Sequence, residues 1–174
     1  SSNGFLTLGT APVATNYIPL SNTATYTGAI SPFGANLINS TVGTPEIRYE
    51  QVGAELVFQW QDVKRFAVGT ERFSFQARVN TTTGVIRFVY GSVSNLSTVT
   101  THQAETGLRG PTNAFANVKN RRVTTGADTW ATSLAGTSMA SKMRFTATAP
   151  AKSPAGGETY SFAPACLSPV ASTM

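Results

Sequence analysis

In Arg72-Phe73-Ser74-Phe75-Gln76-Ala77-Arg78-Val79 the odd-numbered residues are apolar and the even-numbered ones polar. That is the period of a strand with one face in a core and the other in water. A polar stretch ending in glycine, Asn80-Thr81-Thr82-Thr83-Gly84, separates it from Val85-Ile86-Arg87-Phe88-Val89-Tyr90. Two such strands around a short loop predict an antiparallel hairpin. Upstream, Glu55 to Val63 places Leu56, Phe58 and Trp60 on one face, and Ile47 to Val52 is its predicted partner across Gly53-Ala54. A meander of four strands therefore covers about residues 46–91.

Outside that block the predicted strands shorten. Gly4 to Gly9, Ile30 to Phe33, Glu105 to Arg109, Lys142 to Thr148 and Glu158 to Phe162 carry alternating or β-branched character between Gly, Pro, Asn and Ser. Residues 110–130 show little periodicity and predict a long loop with room for one strand. No stretch has the pattern of a long amphipathic helix. About nine short strands with turns between them predict an all-β fold, an antiparallel two-sheet β-sandwich of jelly-roll type. It would occupy residues 1–163, with the Pro-spaced residues 164–174 as the start of an interdomain linker.

Composition narrows the function. The chain has 174 residues, 41% hydrophobic and only 12% charged, against ~25% charged in an average protein. One core is affordable and two large domains are not. Thr and Ser make up about a quarter of the chain, a β-favouring mixture. One histidine, His102, and one cysteine, Cys166, leave no pair at metal-ligand spacing, so neither a metal nor another cofactor is expected. A formal charge of +5 is spread along the chain, with one cluster at Lys119-Asn120-Arg121-Arg122. Nucleic-acid binding needs a denser basic stripe or a recognisable fold signature, and is not expected. No apolar run reaches the ~18 residues of a membrane span, so membrane insertion is not expected either.

One string invites a catalytic reading. Gly136-Thr137-Ser138-Met139-Ala140-Ser141 resembles the nucleophile motif of subtilisin-like serine proteases, and Asp62, His102 and Ser138 follow that family's order. The flanks differ: Gln61-Asp62-Val63-Lys64 and Thr101-His102-Gln103-Ala104 lack the family's glycines, and Lys142-Met143-Arg144-Phe145 alternates like a strand where the family has a buried helix. In a chain so rich in Ser, Thr, Ala and Gly the match is expected by chance, and no enzymatic activity is assigned. Three glycosylation triplets, at Asn39, Asn80 and Asn95, follow from the same composition. Trp60 shares a strand face with Phe58 and is expected in the core, whereas Trp130 is a candidate for stacking on a sugar ring. The stretch 109–122 is the expected contact surface, with Arg109, Asn113, Lys119 and Arg121 as hydrogen-bond donors beside Trp130.

Several blocks together resemble a known domain. Ser1 to Gly9, Ile30-Ser31-Pro32-Phe33, Val57 to Val63, Phe73 to Gly91, Gly107-Leu108-Arg109-Gly110 and Gly136 to Met143 are similar, in that order, to a β-sandwich domain of large secreted Bacteroidota proteins. The section from Leu56 to Gly91 also resembles the nidogen-type extracellular domain. The resemblance covers roughly residues 1–164 and implies an extracellular or cell-surface setting, a multidomain parent chain and export by type IX secretion. Gly34-Ala35 stand where the family usually has a Trp and an acid, so the ligand or metal role that the resemblance would attach to that corner is not expected here. Related domains also carry strands before the Ser-Asn-Gly block, so residues 4–9 are expected beside a sheet edge completed by other sequence.

These observations predict a non-enzymatic extracellular β-sandwich module of a bacterial surface or secreted protein, serving adhesion, ligand contact or structural spacing. Its partners would be neighbouring domains or chains of the same assembly, and glycans. A carbohydrate-binding module and a self-assembling subunit of a filament or capsid are the alternatives.

Overall fold

A computed structural model describes residues 1–67, 70–94, 104–112, 118–124, 130–131 and 159–162. They contain eleven strands: β1 (Leu6–Leu8), β2 (Gly28–Ala35), β3 (Leu37–Asn39), β4 (Glu46–Val52), β5 (Glu55–Arg65), β6 (Arg72–Asn80), β7 (Ile86–Ser94), β8 (Ala104–Arg109), β9 (Val118–Thr124), β10 (Trp130–Ala131) and β11 (Thr159–Phe162). All pairings are antiparallel and form two sheets. The first has the order β1-β2-β8-β9-β10; the second has β11-β7-β6-β5-β3, with β4 also on β5. The two-sheet all-β prediction holds. β5 is long enough to take two partners end to end, β4 along Glu55–Gln61 and β3 along Val63–Arg65.

The alternation in the meander decides which side chains meet. Phe73, Phe75 and Ala77 of β6 turn inward with Phe88 and Tyr90 of β7 and Trp60 and Val63 of β5, and Ile30, Phe33 and Ala35 of β2 meet them from the other sheet. Phe33 stacks on Phe73 at 5.2 Å and Trp60 on Phe75 at 5.2 Å. Trp60 is 1% exposed, as its strand face predicted, and its Nε1 donates to the Ser1 carbonyl at 2.9 Å. A ring of that size removed from water contributes roughly 2–3 kcal/mol.

The first sheet has a second cover. On β8, Ala104 and Leu108 face the core while Glu105 and Arg109 face outward, yet all four positions are at least partly buried. The reason is the segment between β1 and β2. Glu105 accepts the N–H groups of Leu20 at 2.6 Å and Ser21 at 3.1 Å, and Asn3 donates to the carbonyls of Ala14 and Asn16. Gly34 lets the cover lie flat, because a β-carbon there would come within 2.7 Å of Pro19 Cδ. Among the described residues this segment covers the outer face of β8, and no described segment lies over the outer face of the second sheet.

Short strands refine the sequence reading. Within 110–130, where the pattern predicts a long loop with room for one strand, the chain forms β9 and begins β10 at Trp130; Lys119-Asn120-Arg121-Arg122 has no alternation, and its pairing comes from β8. β3 has three residues, too few for any period, and exists because the far end of β5 offers it a partner. The strand number rises from about nine to eleven through such short pieces. Gly34-Ala35 lie buried in β2. β1 is the outer strand of its sheet among the described residues, at the edge predicted for residues 4–9. The strand predicted at 142–148, Cys166 and the linker from 164 lie outside the described residues.

Candidate ligand-contact face

Of the residues singled out on 109–122, only Arg109 has a described side chain. Arg109 sits at the end of β8 and is 5% exposed, so it is not a donor on a solvated loop. Its guanidinium donates to the carbonyls of Pro19 at 2.8 Å and Asn22 at 3.0 Å and to that of Ala24, and lies 5.1 Å from the Tyr26 ring centre. It pins the cover segment, because that segment turns three carbonyls toward one point. Lys119 pairs with Leu108 across β9 and β8, and Arg121 follows on the same strand. Trp130 opens β10 opposite Thr124. Asn113, like His102 and Ser138, lies outside the described residues.

The open outer face of the second sheet carries a different arrangement. The even-numbered residues Arg72, Ser74, Gln76 and Arg78 point there, joined by Gln59 and Gln61 of β5. The amides form a ladder: Gln76 Nε2 donates to Gln59 Oε1 at 2.7 Å, Gln59 Nε2 to Gln61 Oε1 at 2.9 Å, and Gln61 Nε2 to Thr44 Oγ1 at 2.8 Å. Gln59 and Gln76 each use one N–H in this chain and keep a second, whereas Gln61 also donates to the Thr44 carbonyl at 3.2 Å.

Two register shifts hollow the face at its centre. Pairing of β5 with β6 jumps between Trp60 and Val63, and pairing of β6 with β7 jumps between Phe73 and Phe75. Ser74 therefore lies between two bulges, Gln61-Asp62 on one side and Gly91-Ser92 on the other. Bulges bend the strand and re-aim side chains. Asp62 adopts φ 49° to make its bulge, and its N–H donates to Ser74 Oγ at 3.1 Å. Gly91 permits the other close approach, since a β-carbon there would be 3.2 Å from the Ser74 carbonyl oxygen.

The result is a groove of 410 Å³ lined by Gln59, Gln61, Asp62, Arg72, Gln76 and Ser92 around Ser74. Thr44 N–H donates to Asp62 Oδ2 at 2.8 Å, and Arg72 Nε stands 3.5 Å from Oδ1, so the carboxylate is neutralised in place. The lining is rich in donors and acceptors and has no net charge. Phe75 contributes at the floor while its ring packs in the core. Sequence reasoning on the 109–122 stretch missed this site, although the even-numbered polar face of 72–78 was its signal.

A second hollow is apolar. Ser1, Ser2 and Leu6 frame it on one side and Ile47, Tyr49, Phe58 and Trp60 on the other. Tyr49 stacks on Phe58 at 6.1 Å yet stays 77% exposed, and Ile47 stays 45% exposed.

Two shifted titrations belong to the cover segment rather than to either hollow. Burial pushes the Tyr26 phenol above its ordinary value, partly offset by hydrogen bonding from Asn22 and Asn16 and by the Arg109 charge. Burial also lowers Arg109, against the pull of Tyr26 and Glu105.

Among known protein families, a model described as NIDO related matches residues 1–164. Neither a curated protein nor a solved structure matches the chain.

Proposed function

The chain belongs to the NIDO-related family, and on that footing we propose that it is a non-enzymatic extracellular β-sandwich module, part of a secreted or surface-displayed bacterial protein, that contacts a neutral, hydroxyl-rich ligand such as a glycan. The observation that carries the reading is the groove between the two bulges at Ser74. It lies on the outer face of the second sheet, which no described segment covers.

Chemistry supports this ligand class. A sugar hydroxyl both donates and accepts, and the spare amide N–H groups of Gln59 and Gln76 stand beside the Asp62 carboxylate and Ser74. The paired Asp62 and Arg72 leave no field to attract an ion. Trp60 is in the core, so recognition at this face rests on hydrogen bonds rather than on ring stacking. Such a groove is shallow and its single-site affinity modest, which suits a module repeated along a chain or surface. Its partners in that setting are neighbouring domains or chains of the same assembly.

An oligosaccharide array probed with labelled protein tests the proposal. The wild type should retain at least one glycan class, and Gln76→Ala and Ser92→Arg should each lower retention at least about tenfold, the loss of one or more hydrogen bonds. Binding unaffected by both variants would remove the groove from the account.

A further inference from the structure

β4 is an edge strand of unusual kind for this molecule. Among the described residues β1 and β3 are outer strands of only three residues each. β4 has seven, Glu46-Ile47-Arg48-Tyr49-Glu50-Gln51-Val52, and all seven are exposed. Its register with β5 runs from Glu46 to Val52 without a shift. Edge strands that stay single are normally protected by charged side chains, lysine above all, or by proline, a bulge or brevity. β4 is long and has neither proline nor bulge, and its three charges, Glu46, Arg48 and Glu50, are of mixed sign and can pair with a second copy instead of repelling it. On its side away from β5, every second residue presents an N–H and a C=O with no described strand opposite.

We propose that β4 pairs antiparallel with β4 of a second copy of this chain, about a two-fold axis through Tyr49. The charge order selects this register. Tyr49 is the middle residue of the strand, so an axis there engages all seven residues of each copy. It sets Arg48 against the partner's Glu50 and Glu50 against the partner's Arg48, giving two ion pairs on the outer face. Arg48 already leans toward Glu46, 3.5 Å away on its own strand, so the guanidinium would sit between two carboxylates. An axis at Arg48 would oppose Arg48 to itself and Glu46 to Glu50. An axis at Glu50 would oppose Glu50 to itself. Directly opposite like charges destabilise a sheet, so both are disfavoured.

The inner face agrees. Ile47 and Tyr49 project there, largely uncovered, over the apolar hollow beside β1. At the axis the two Tyr49 rings become neighbours, and Ile47 comes opposite the partner's Gln51. The symmetry is closed, because one β4 edge is consumed by one partner, and the product is a dimer with a continuous sheet rather than a filament. Pairing of one seven-residue strand falls in the small class of interfaces, below about 1,200 Å² in total, which predicts a reversible, concentration-dependent dimer. The inference is independent of the groove at Ser74.

Sedimentation velocity over a concentration series tests it. The wild type should shift from monomer to dimer. Arg48→Glu and Glu50→Arg, both at exposed positions, should each lose the dimer, because each sets like charges opposite one another twice. An equimolar mixture of the two variants should dimerise again, since the glutamates at 48 and 50 of one copy then face the arginines at 50 and 48 of the other. A wild type that stays monomeric to its solubility limit, or a Glu50→Arg variant that dimerises like wild type, overturns the proposal. Oxidative crosslinking gives a second, geometric arm in a Cys166→Ser background. Tyr49→Cys should crosslink to its own copy and Gln51→Cys should not; equal crosslinking of both contradicts the axis.

Discussion

The guanidinium of Arg109 lies 5.1 Å from the centre of the Tyr26 ring and ties the end of β8 to the segment that covers it. The pair explains how a strand with a glutamate and an arginine on its outer face becomes buried on both sides. The charge is satisfied by backbone carbonyls from a single loop, and the ring adds a cation–π contact.

Arg109→Ala should therefore destabilise the domain by about 2–4 kcal/mol, the scale for breaking a buried network of charge-assisted hydrogen bonds. Arg109→Lys should recover little, because one ammonium cannot span the carbonyls that a planar fork reaches. Urea denaturation of the three proteins measures both.

Tyr26 gives the fold an alkaline limit. Burial raises its phenol above the unfolded value of about 10. A raised acid favours the protonated form in the folded state, so its contribution is complete below that unfolded value and is lost as pH rises through the folded one. The melting temperature should fall above about pH 10, and Tyr26→Phe should flatten that fall while lowering stability at neutral pH through loss of the Asn16 hydrogen bond.

Arg65 and Glu71 form an ion pair with side chains 3% and 0% exposed, and Arg65 Nε donates to Glu71 Oε2 at 2.8 Å. Removing one partner leaves a buried charge, so Arg65→Met or Glu71→Leu alone should cost about 3–5 kcal/mol. The double variant should cost much less than the sum. A double-mutant cycle by chemical denaturation reads the difference.

Two glycines with positive φ should behave differently. A β-carbon at Gly4 (φ 78°) would overlap the Phe33 carbonyl, whereas one at Gly53 (φ 59°) meets nothing within 4 Å. Gly4→Ala should lose about 2–4 kcal/mol and Gly53→Ala about 1 kcal/mol, the backbone cost alone. Thermal melts of the two variants make the comparison.

How much of this was legible in the sequence depends on the kind of residue. Phe73, Phe75, Phe88 and Trp60 announced the core by alternation, because period two and burial on one face are the same fact. Gln59, Ser74 and Gln76 were legible as the polar face opposite them. The groove was not, because the shifts at Asp62 and Gly91 arise from pairing between strands and leave no period in either one. Arg109 was misplaced for a related reason: a basic residue before Gly110-Pro111 looks like a loop donor, and only the fold brings the carbonyls of Pro19, Asn22 and Ala24 to it. Asn3 and Gly4, part of the Ser-Asn-Gly block, prove to be a hub: the Asn3 amide holds Ala14 and Asn16, and its Oδ1 accepts from Leu37.

The central claim is that ligand contact occurs at the bulge-framed groove of the second sheet, and amide-resolved NMR during titration with an array-retained glycan tests it most directly. The account predicts shifts centred on Gln59, Gln61, Ser74, Gln76 and Ser92, abolished by Ser92→Arg. Shifts confined to β8 and β9, or to Ile47 and Tyr49 at the apolar hollow, with none at Ser74, would contradict it.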